Sequence, residues 1–408
     1  MSEKKKVGLF GLGCVGQGFY SLLAQANSNL EIKKIVVKNP NKQRPVDQSL
    51  LSVSPEDILN DPEIDIVVEL IDDSIFAFEL LKKSLEKKKP LVTANKKMLA
   101  ENLEEIFWLQ KKYNTPVLYE GAVCGSIPII RNLEKHYAFD QLHRVEGIFN
   151  GSTNYILTKM IEEKKDFSSV LAEAQRLGFA ESDPTLDVKG FDPKFKLAIT
   201  TAHAFGLFVH PKQILNIGID KITEHDIRYA RQQGCTIKLI AKAERIGDEI
   251  VGLVAPQFVP LDSSLANIKN EFNAVNVTGA STGLQFLAGK GAGSLPTGLV
   301  VLSDVVAISQ GESYSYEKVK HADDVSFFIE GLTNVCVSFR EGEGIKPADF
   351  AEFNGGYQAG EYHSLNGWVS LNKLKNWSDR EGLSIILNSG ANYKPSRSEK
   401  KRELTLVQ

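Results

Sequence analysis

The chain has 408 residues, 42% of them apolar and 24% charged, and a formal net charge of −3. That is more chain than one core fills, so two or three domains are expected, and the small net charge gives no reason to expect nucleic acid or an anionic membrane surface as a partner. No apolar run approaches bilayer length, and Cys14, Cys124, Cys235 and Cys336 form no CxxC pair, which argues against a membrane span, a disulfide framework or a thiolate zinc site and for the reducing cytoplasm.

The start, MSEKKK, leaves no room for a signal peptide before an apolar strand at Lys6–Phe10. Gly11-Leu12-Gly13-Cys14-Val15-Gly16 follows, and Gln17 to Ala26 has helical spacing. A GxGxxG between a strand and a helix is a dinucleotide turn: the first glycine bends, the second admits the pyrophosphate and the third lets the helix pack on the strand. Strand Ile32–Val37 ends in Lys38-Asn39, with Lys42 and Arg44 beyond. An acid there would grip the ribose hydroxyls of NAD(H); basic groups suit a 2′-phosphate, so NADP(H) is favoured.

Strand Ile64–Ile71, helix Phe76–Lys88, strand Pro90–Thr93, helix Leu103–Tyr113 and strand Val117–Tyr119 continue the alternation. It implies an α/β fold with a Rossmann-type, doubly wound parallel sheet. Ligands in such sheets sit beyond the carboxyl ends of strands, which singles out Thr93 and Lys96. The small-residue loop Glu120–Pro128 offers Cys124 as a nucleophile, as a small buried residue, or as part of a carbonyl-built site for a monovalent cation. Helix Ile129–His136 follows.

Strand Arg144–Phe149 leads to Asn150-Gly151-Ser152-Thr153-Asn154 and helix Tyr155–Glu163, a helix start able to hold a small polar ligand. Helix Ser168–Leu177 ends at Gly178 and delivers the chain to GFAESDPTLDVKGFDPKFK. Here Asp192 is expected to cap a helix with Pro193 in its first position, placing Lys196 by the first turn. A lysine between the positive end of a helix dipole and the acids Glu181, Asp183, Asp187 and Asp192 is a candidate for proton transfer; the alternative is a solvated charge cluster. His203 is expected to be a core or partly buried histidine. Strands Thr236–Ala243 and Ile250–Val259 flank a break at Gly247-Asp248 and suit an antiparallel sheet. A second glycine loop, Gly289–Thr297, opens helix Gly298–Ile308. Strands Val325–Ile329 and Asn334–Phe339, a turn-rich run at Asn354-Gly355-Gly356 and a charged, disordered tail from about Lys394 are expected at the end.

Several of these stretches together resemble homoserine dehydrogenases: Gly11–Gly16, VVELI from Val67, VTANK from Val92, the Glu120–Pro128 loop, NGSTNYILTKM from Asn150, LGFAESDPTLDVKGFDPKFKLA from Leu177 and GKGAGSLPTG from Gly289. They run in family order over the first three quarters of the chain. The resemblance implies NAD(P)-dependent interconversion of L-homoserine and L-aspartate 4-semialdehyde in threonine and methionine biosynthesis, by a homodimer. It assigns Lys196 as general acid/base and Lys96 as its partner. Glu181, Asp192, Asp187, Gly151 and Ser152 become substrate contacts, and Gly11 to Gly16, Lys38, Thr93, Lys96 and Gly293 cofactor contacts. The backbone carbonyls of Glu120, Val123, Gly125 and Ile127 match a sodium or potassium site. The implied domains are residues 1–128, completed by about 295–314; an inserted α+β substrate and dimerisation domain, 129–294; and a small α+β extension, 315–408. That extension lacks the Asp-x-Pro-Gly-Val turn of the ACT domain carried by many bacterial members. Phe179 stands where the family usually has tyrosine, and Asp72-Asp73 where it has glycines. Two alternatives stay open: another NADP-linked semialdehyde or amino-acid dehydrogenase, with Cys124 as nucleophile, and a non-catalytic NADP-binding sensor.

Overall fold

The computed structural model describes residues 4–26, 28–322, 325–328, 331–342, 344–390 and 393–394. The expected disordered tail lies almost wholly outside the described residues. The chain divides into two compact units, one of residues 1–141, 198–211 and 289–323, the other of 142–197, 212–288 and 324–408.

The first unit is built on six strands: β1 (Lys5–Phe10), β2 (Leu30–Val36), β3 (Leu51–Ser52), β4 (Ile66–Glu69), β5 (Leu91–Thr93) and β6 (Val117–Leu118). They pair in parallel in the order β3-β2-β1-β4-β5-β6. The strand order therefore reverses between β1 and β4, and the crevice of such a sheet opens there. Val7, Leu9, Val67 and Val68 are fully buried, as expected of strands covered on both faces. Helices Cys14–Gln25 and Ser294–Ser309 close over this sheet in one apolar cluster. Their close approach requires glycine: a Cβ on Gly18 would lie 2.1 Å from the Ser294 carbonyl oxygen, and one on Gly298 would lie 2.6 Å from the Phe19 nitrogen.

Several helices depart from the periodicity reading at their starts or ends, among them the three that follow. The first begins at Cys14, inside the glycine turn. The helix expected from Leu103 spans Lys96–Tyr113, because the Asn95 side chain accepts from the Met98 amide and caps it early. The helix expected at Ile129–His136 is one α turn, Ile129–Arg131, continued as a π-helical segment, Asn132–His136.

The second unit carries an eleven-stranded mixed sheet. Its strands are β7 (Leu142–Ile148), β8 (Leu215–Asn216), β9 (Cys235–Ile246), β10 (Glu249–Pro260), β11 (Phe272–Gly279), β12 (Gly283–Lys290), β13 (Ser326–Phe328), β14 (Leu332–Arg340), β15 (Glu352–Ala359), β16 (Tyr362–Ser370) and β17 (Ser384–Leu387). The main path runs β12-β11-β7-β9-β10-β17-β14-β16-β15, and β8, β13 and β17 each pair in parallel with β10. The predicted β9–β10 hairpin is present, turning at Gly247-Asp248. Two readings needed correction. The β11–β12 hairpin was not anticipated: β11 is mostly buried, but its partner β12 is an exposed edge strand. The turn expected at Asn354-Gly355-Gly356 lies within β15, where a register shift between Phe353 and Gly355 absorbs the glycines as a bulge.

Candidate functional site

In the first unit the glycine turn has the division of labour its spacing implies. Gly11 takes a φ of +89°, and a Cβ there would lie 2.4 Å from the Leu70 oxygen, at the end of β4. A Cβ on Gly16 would lie 2.5 Å from the Gly11 oxygen, so this residue seats the helix on the turn. Gly13 differs: nothing lies within 4 Å of its Cβ position. That side is open at the helix N-terminus, where backbone amides favour an anion. Leu12 is buried under the turn, while Cys14 is exposed. The second glycine loop joins this end through Ser294, whose hydroxyl donates to the Cys14 carbonyl at 2.7 Å, and Gly293 before it takes a φ of +124°. At the end of β2, Lys38 is exposed, and the Arg44 guanidinium folds back onto the Asn39 carbonyl at 2.7 Å.

The ends of β4 and β5 are tied together by a group that sequence reading missed. Glu69 is fully buried; its carboxylate accepts from the Ile71 amide at 2.7 Å and from the Thr93 hydroxyl at 2.6 Å. Thr93 in turn accepts from the Asn95 amide at 3.0 Å, and Asn95 donates to the Ile71 carbonyl at 3.0 Å. Lys96, half-buried, follows directly as the first helical residue. Burial pushes the Glu69 carboxyl up to about 7, against the hydrogen bonds that lower it. The only sequence signal was an acid inside an apolar strand. Asp73 has a local role, capping helix Ser74–Glu86 through the Ile75 and Phe76 amides.

The loop after β6 turns at Cys124 and Gly125, both at φ 55°, and a Cβ on Gly125 would lie 2.5 Å from the Gly291 backbone. Val123, Gly125 and Ile127 are buried. The side chain of Glu120 faces the other way, accepting from the Ile130 and Arg131 amides, so only its carbonyl is left to the loop. Burial and the nearby Asp304 raise the Glu120 carboxyl to about 8. Cys124 is buried. His203 is a core histidine, bonded to Tyr119 at 2.9 Å and to Glu134 at 2.5 Å.

In the second unit Asn150 caps helix Gly151–Glu163 and gathers the acids. Its amide nitrogen donates to Asp187 at 2.7 Å and to Asp192 at 2.8 Å. Asp192 pairs with Lys196 at 2.8 Å, and the Lys196 ammonium also donates to the Phe149 carbonyl at 2.6 Å. Asp192 is 2% and Lys196 7% exposed, so this is a buried ion pair, which is strongly disrupted by loss of either member. The helix runs Phe191–Phe205 and starts earlier than expected: Asp192 lies inside its first turn rather than at the cap, and so sits one turn before Lys196 on the same face. Ser152 donates to the Phe179 carbonyl at 2.5 Å, and Gly151 packs on the Glu271 backbone. Glu181 is exposed on the following loop and is not drawn into the Asn150 cluster. Sequence reading placed Asn150 among the helix-start residues but did not select it, because its joint hold on Asp187 and Asp192 depends on tertiary approach.

A parallel sheet with an open glycine turn, in one chain with a buried carboxylate–lysine pair, defines a dinucleotide-dependent oxidoreductase. Comparison with known proteins gives the family. The family model for the NAD-binding domain of homoserine dehydrogenase matches residues 11–120, and that for homoserine dehydrogenase itself matches residues 128–306. A homoserine dehydrogenase of Bacillus subtilis is 40% identical over 313 residues, covering 74% of this chain and 72% of the relative. One of Mycobacterium bovis is 33% identical over 372 residues, covering 86% and 84%. A crystal structure of a homoserine dehydrogenase from Thiobacillus denitrificans superposes with a TM-score of 0.82 at 30% identity, over 95% of this chain and 98% of that one. The chain belongs to the homoserine dehydrogenase family.

Proposed function

We propose that the protein interconverts L-homoserine and L-aspartate 4-semialdehyde with NADP(H) in preference to NAD(H), and that Lys196 is the general acid/base. The observation that carries this reading is the buried Asp192–Lys196 pair, locked by Asn150 and the Phe149 carbonyl. A dinucleotide held at the glycine turn would supply the hydride acceptor for the C4 carbon of homoserine and the hydride donor for the aldehyde. In reduction the Lys196 ammonium donates a proton to the oxygen and stabilises its developing negative charge; in oxidation Lys196 must first release that proton, and the neutral amine then takes the hydroxyl proton. Fixed contacts are what make such a transfer fast, because they remove the entropy of finding the geometry. Asp192 and Glu181 hold the substrate ammonium, Asp187 supports Asp192 through Asn150, and Gly151 and Ser152 border the substrate. Lys96 acts as second cation at the nicotinamide end, supported by its place directly after Thr93 and Asn95.

Gly11, Leu12, Gly13, Cys14, Val15, Gly16, Thr93 and Gly293 are assigned to the dinucleotide, and Lys38 to a 2′-phosphate. The absence of an acid at the β2 end, where Val36-Val37-Lys38 stands, supports NADP(H). A sodium or potassium ion is assigned to the carbonyls of Glu120, Val123, Gly125 and Ile127, supported by the two left-handed residues that turn this loop. A cytoplasmic homodimer supplying threonine and methionine synthesis completes the reading; among the described residues no helix is long and apolar enough to cross a membrane.

The test is steady-state oxidation of L-homoserine by the purified protein with NADP and with NAD in parallel. Homoserine-dependent reduction of both, with higher kcat/KM for NADP, is expected. No homoserine-dependent turnover with either cofactor overturns the assignment.

A further inference from the structure

A cavity of about 380 Å³ within the second unit is lined by three lysines, Lys194, Lys212 and Lys375, against one acid, Asp379. Lys194 is 8% exposed. Its ammonium donates to the side-chain oxygen of Asn216 at 2.7 Å and lies 4.5 Å from the Phe191 ring centre. Among the described residues no carboxylate forms an ion pair with Lys194 or Lys375. That is unusual for a buried cation, which normally takes an acid to offset its lost hydration. Burial, and then Lys375, push the Lys194 ammonium down to about 8, the behaviour of a positive charge that lacks its counter-ion. Lys189, on the same chain segment, is by contrast neutralised by Asp220 at 2.7 Å.

We propose that this cavity is an anion site separate from the substrate clamp, and that it takes a small ligand through a phosphate group. Lys194 and Lys375, with no carboxylate of the described residues paired to either, suit a dianion better than a monocarboxylate, and lysine binds phosphate as a point charge without needing a planar fork. The walls also carry the amides of Asn216 and Asn372, donors to phosphate oxygens. The volume exceeds that of a phosphate alone, so a short organic phosphomonoester fits as well as the free ion. Occupancy acts on the clamp over a short path. Lys194 stands between Asp192 and Lys196 in the helix, and Asn216 holds both the Lys194 ammonium and the Lys189 carbonyl. An anion that recruits Lys194 therefore shifts the first turn that presents Asp192.

The experiment uses the full chain saturated with NADP, so that the glycine turn is already occupied. Inorganic phosphate and glycerol 3-phosphate are titrated separately at constant ionic strength, reading melting temperature and homoserine KM. A saturable rise in melting temperature with at least one of them is expected, with homoserine KM changed about fivefold. The stronger of the two responses identifies the free ion or the ester as the occupant. Lys194→Met and Lys375→Met are each expected to weaken the apparent affinity by about tenfold or more. Lys375 is exposed on helix Leu371–Ser378, so its variant keeps the fold and the basal activity and isolates the site if Lys194→Met fails to fold. No saturable response to either probe, or an unchanged affinity in Lys375→Met, overturns the proposal. The melting readout is independent of turnover, so it separates this outcome from failure of the homoserine assignment.

Discussion

The glycine turn of the first unit and the lysine clamp of the second are made from different material. The turn is backbone: Gly11, Gly13 and Gly16 work through what they lack, and they are neighbours in sequence as in space. The clamp is side chains: Asn150, Asp187, Asp192 and Lys196 meet only because a helix start, the one-turn helix Thr185–Val188 and helix Phe191–Phe205 converge. Their buried acids differ in the same way. Asp192 has a lysine at 2.8 Å, whereas Glu69, at the mouth of the first unit, is held by the Ile71 amide and the Thr93 hydroxyl and titrates near 7. A buried carboxylate with a cation can do ionic work, while one held by neutral donors becomes a structural tie sensitive to pH.

The comparison is broken most severely at Lys196. Lys196→Met is expected to lower kcat by about 10²- to 10⁴-fold, the usual contribution of a general acid/base, with dinucleotide binding retained. Retention of activity within a few-fold sinks the proposed role. Next is Glu69→Gln. The folded-state carboxyl titrates at about 7 against an ordinary 4.5, so between those pH values the folded chain keeps a proton that the unfolded chain releases. Stability from this group is therefore highest below 4.5, falls as pH rises to about 7 and is flat above, a change on the order of 3 kcal/mol. Urea melts across that window should show the wild type losing this increment relative to Glu69→Gln; parallel curves remove the argument.

Asn150→Ala removes one hydrogen bond from each of two acids and a helix cap, and is expected to cost about 1–3 kcal/mol in kcat/KM for homoserine. Its cofactor Kd should stay put, which sharpens the division between the two regions. Conversely, Gly13→Ala has room for its methyl in the free protein, so melting temperature should hold while dinucleotide Kd rises about tenfold. An unchanged Kd would place the pyrophosphate elsewhere. The smallest effect is expected at Asp73→Ala, where losing the cap on helix Ser74–Glu86 costs about 1 kcal/mol of stability in denaturant melts and leaves kcat alone.

How far the chain could be read without its structure follows the same division. The parallel sheet and its turn were legible because the strands are apolar throughout and the glycines have fixed jobs at fixed spacing. The β9–β10 hairpin was legible from alternation around Gly247-Asp248. The β15 strand was not, since Asn354-Gly355-Gly356 has the composition of a turn and only pairing with β16 holds it extended. The β11–β12 hairpin was missed for want of a buried face on β12. Asp192 was expected at a cap and lies inside the first turn, because the helix starts two residues earlier, at Phe191.

By itself, then, the sequence determined what depends on neighbours along the chain: the dinucleotide turn, the alternation of strand and helix, and the four-residue spacing of Asp192 and Lys196 that a single helical turn brings together. Tertiary structure alone decided which groups lost their water. Burial at the sheet mouth turns Glu69 into a tie between two strand ends, and the fold gives Lys196 a carboxylate but leaves Lys194, two residues away, with an amide and a cavity. The physical reason is that hydrogen bonding along the chain is local, whereas desolvation and charge pairing depend on what folds against a residue from elsewhere in the chain.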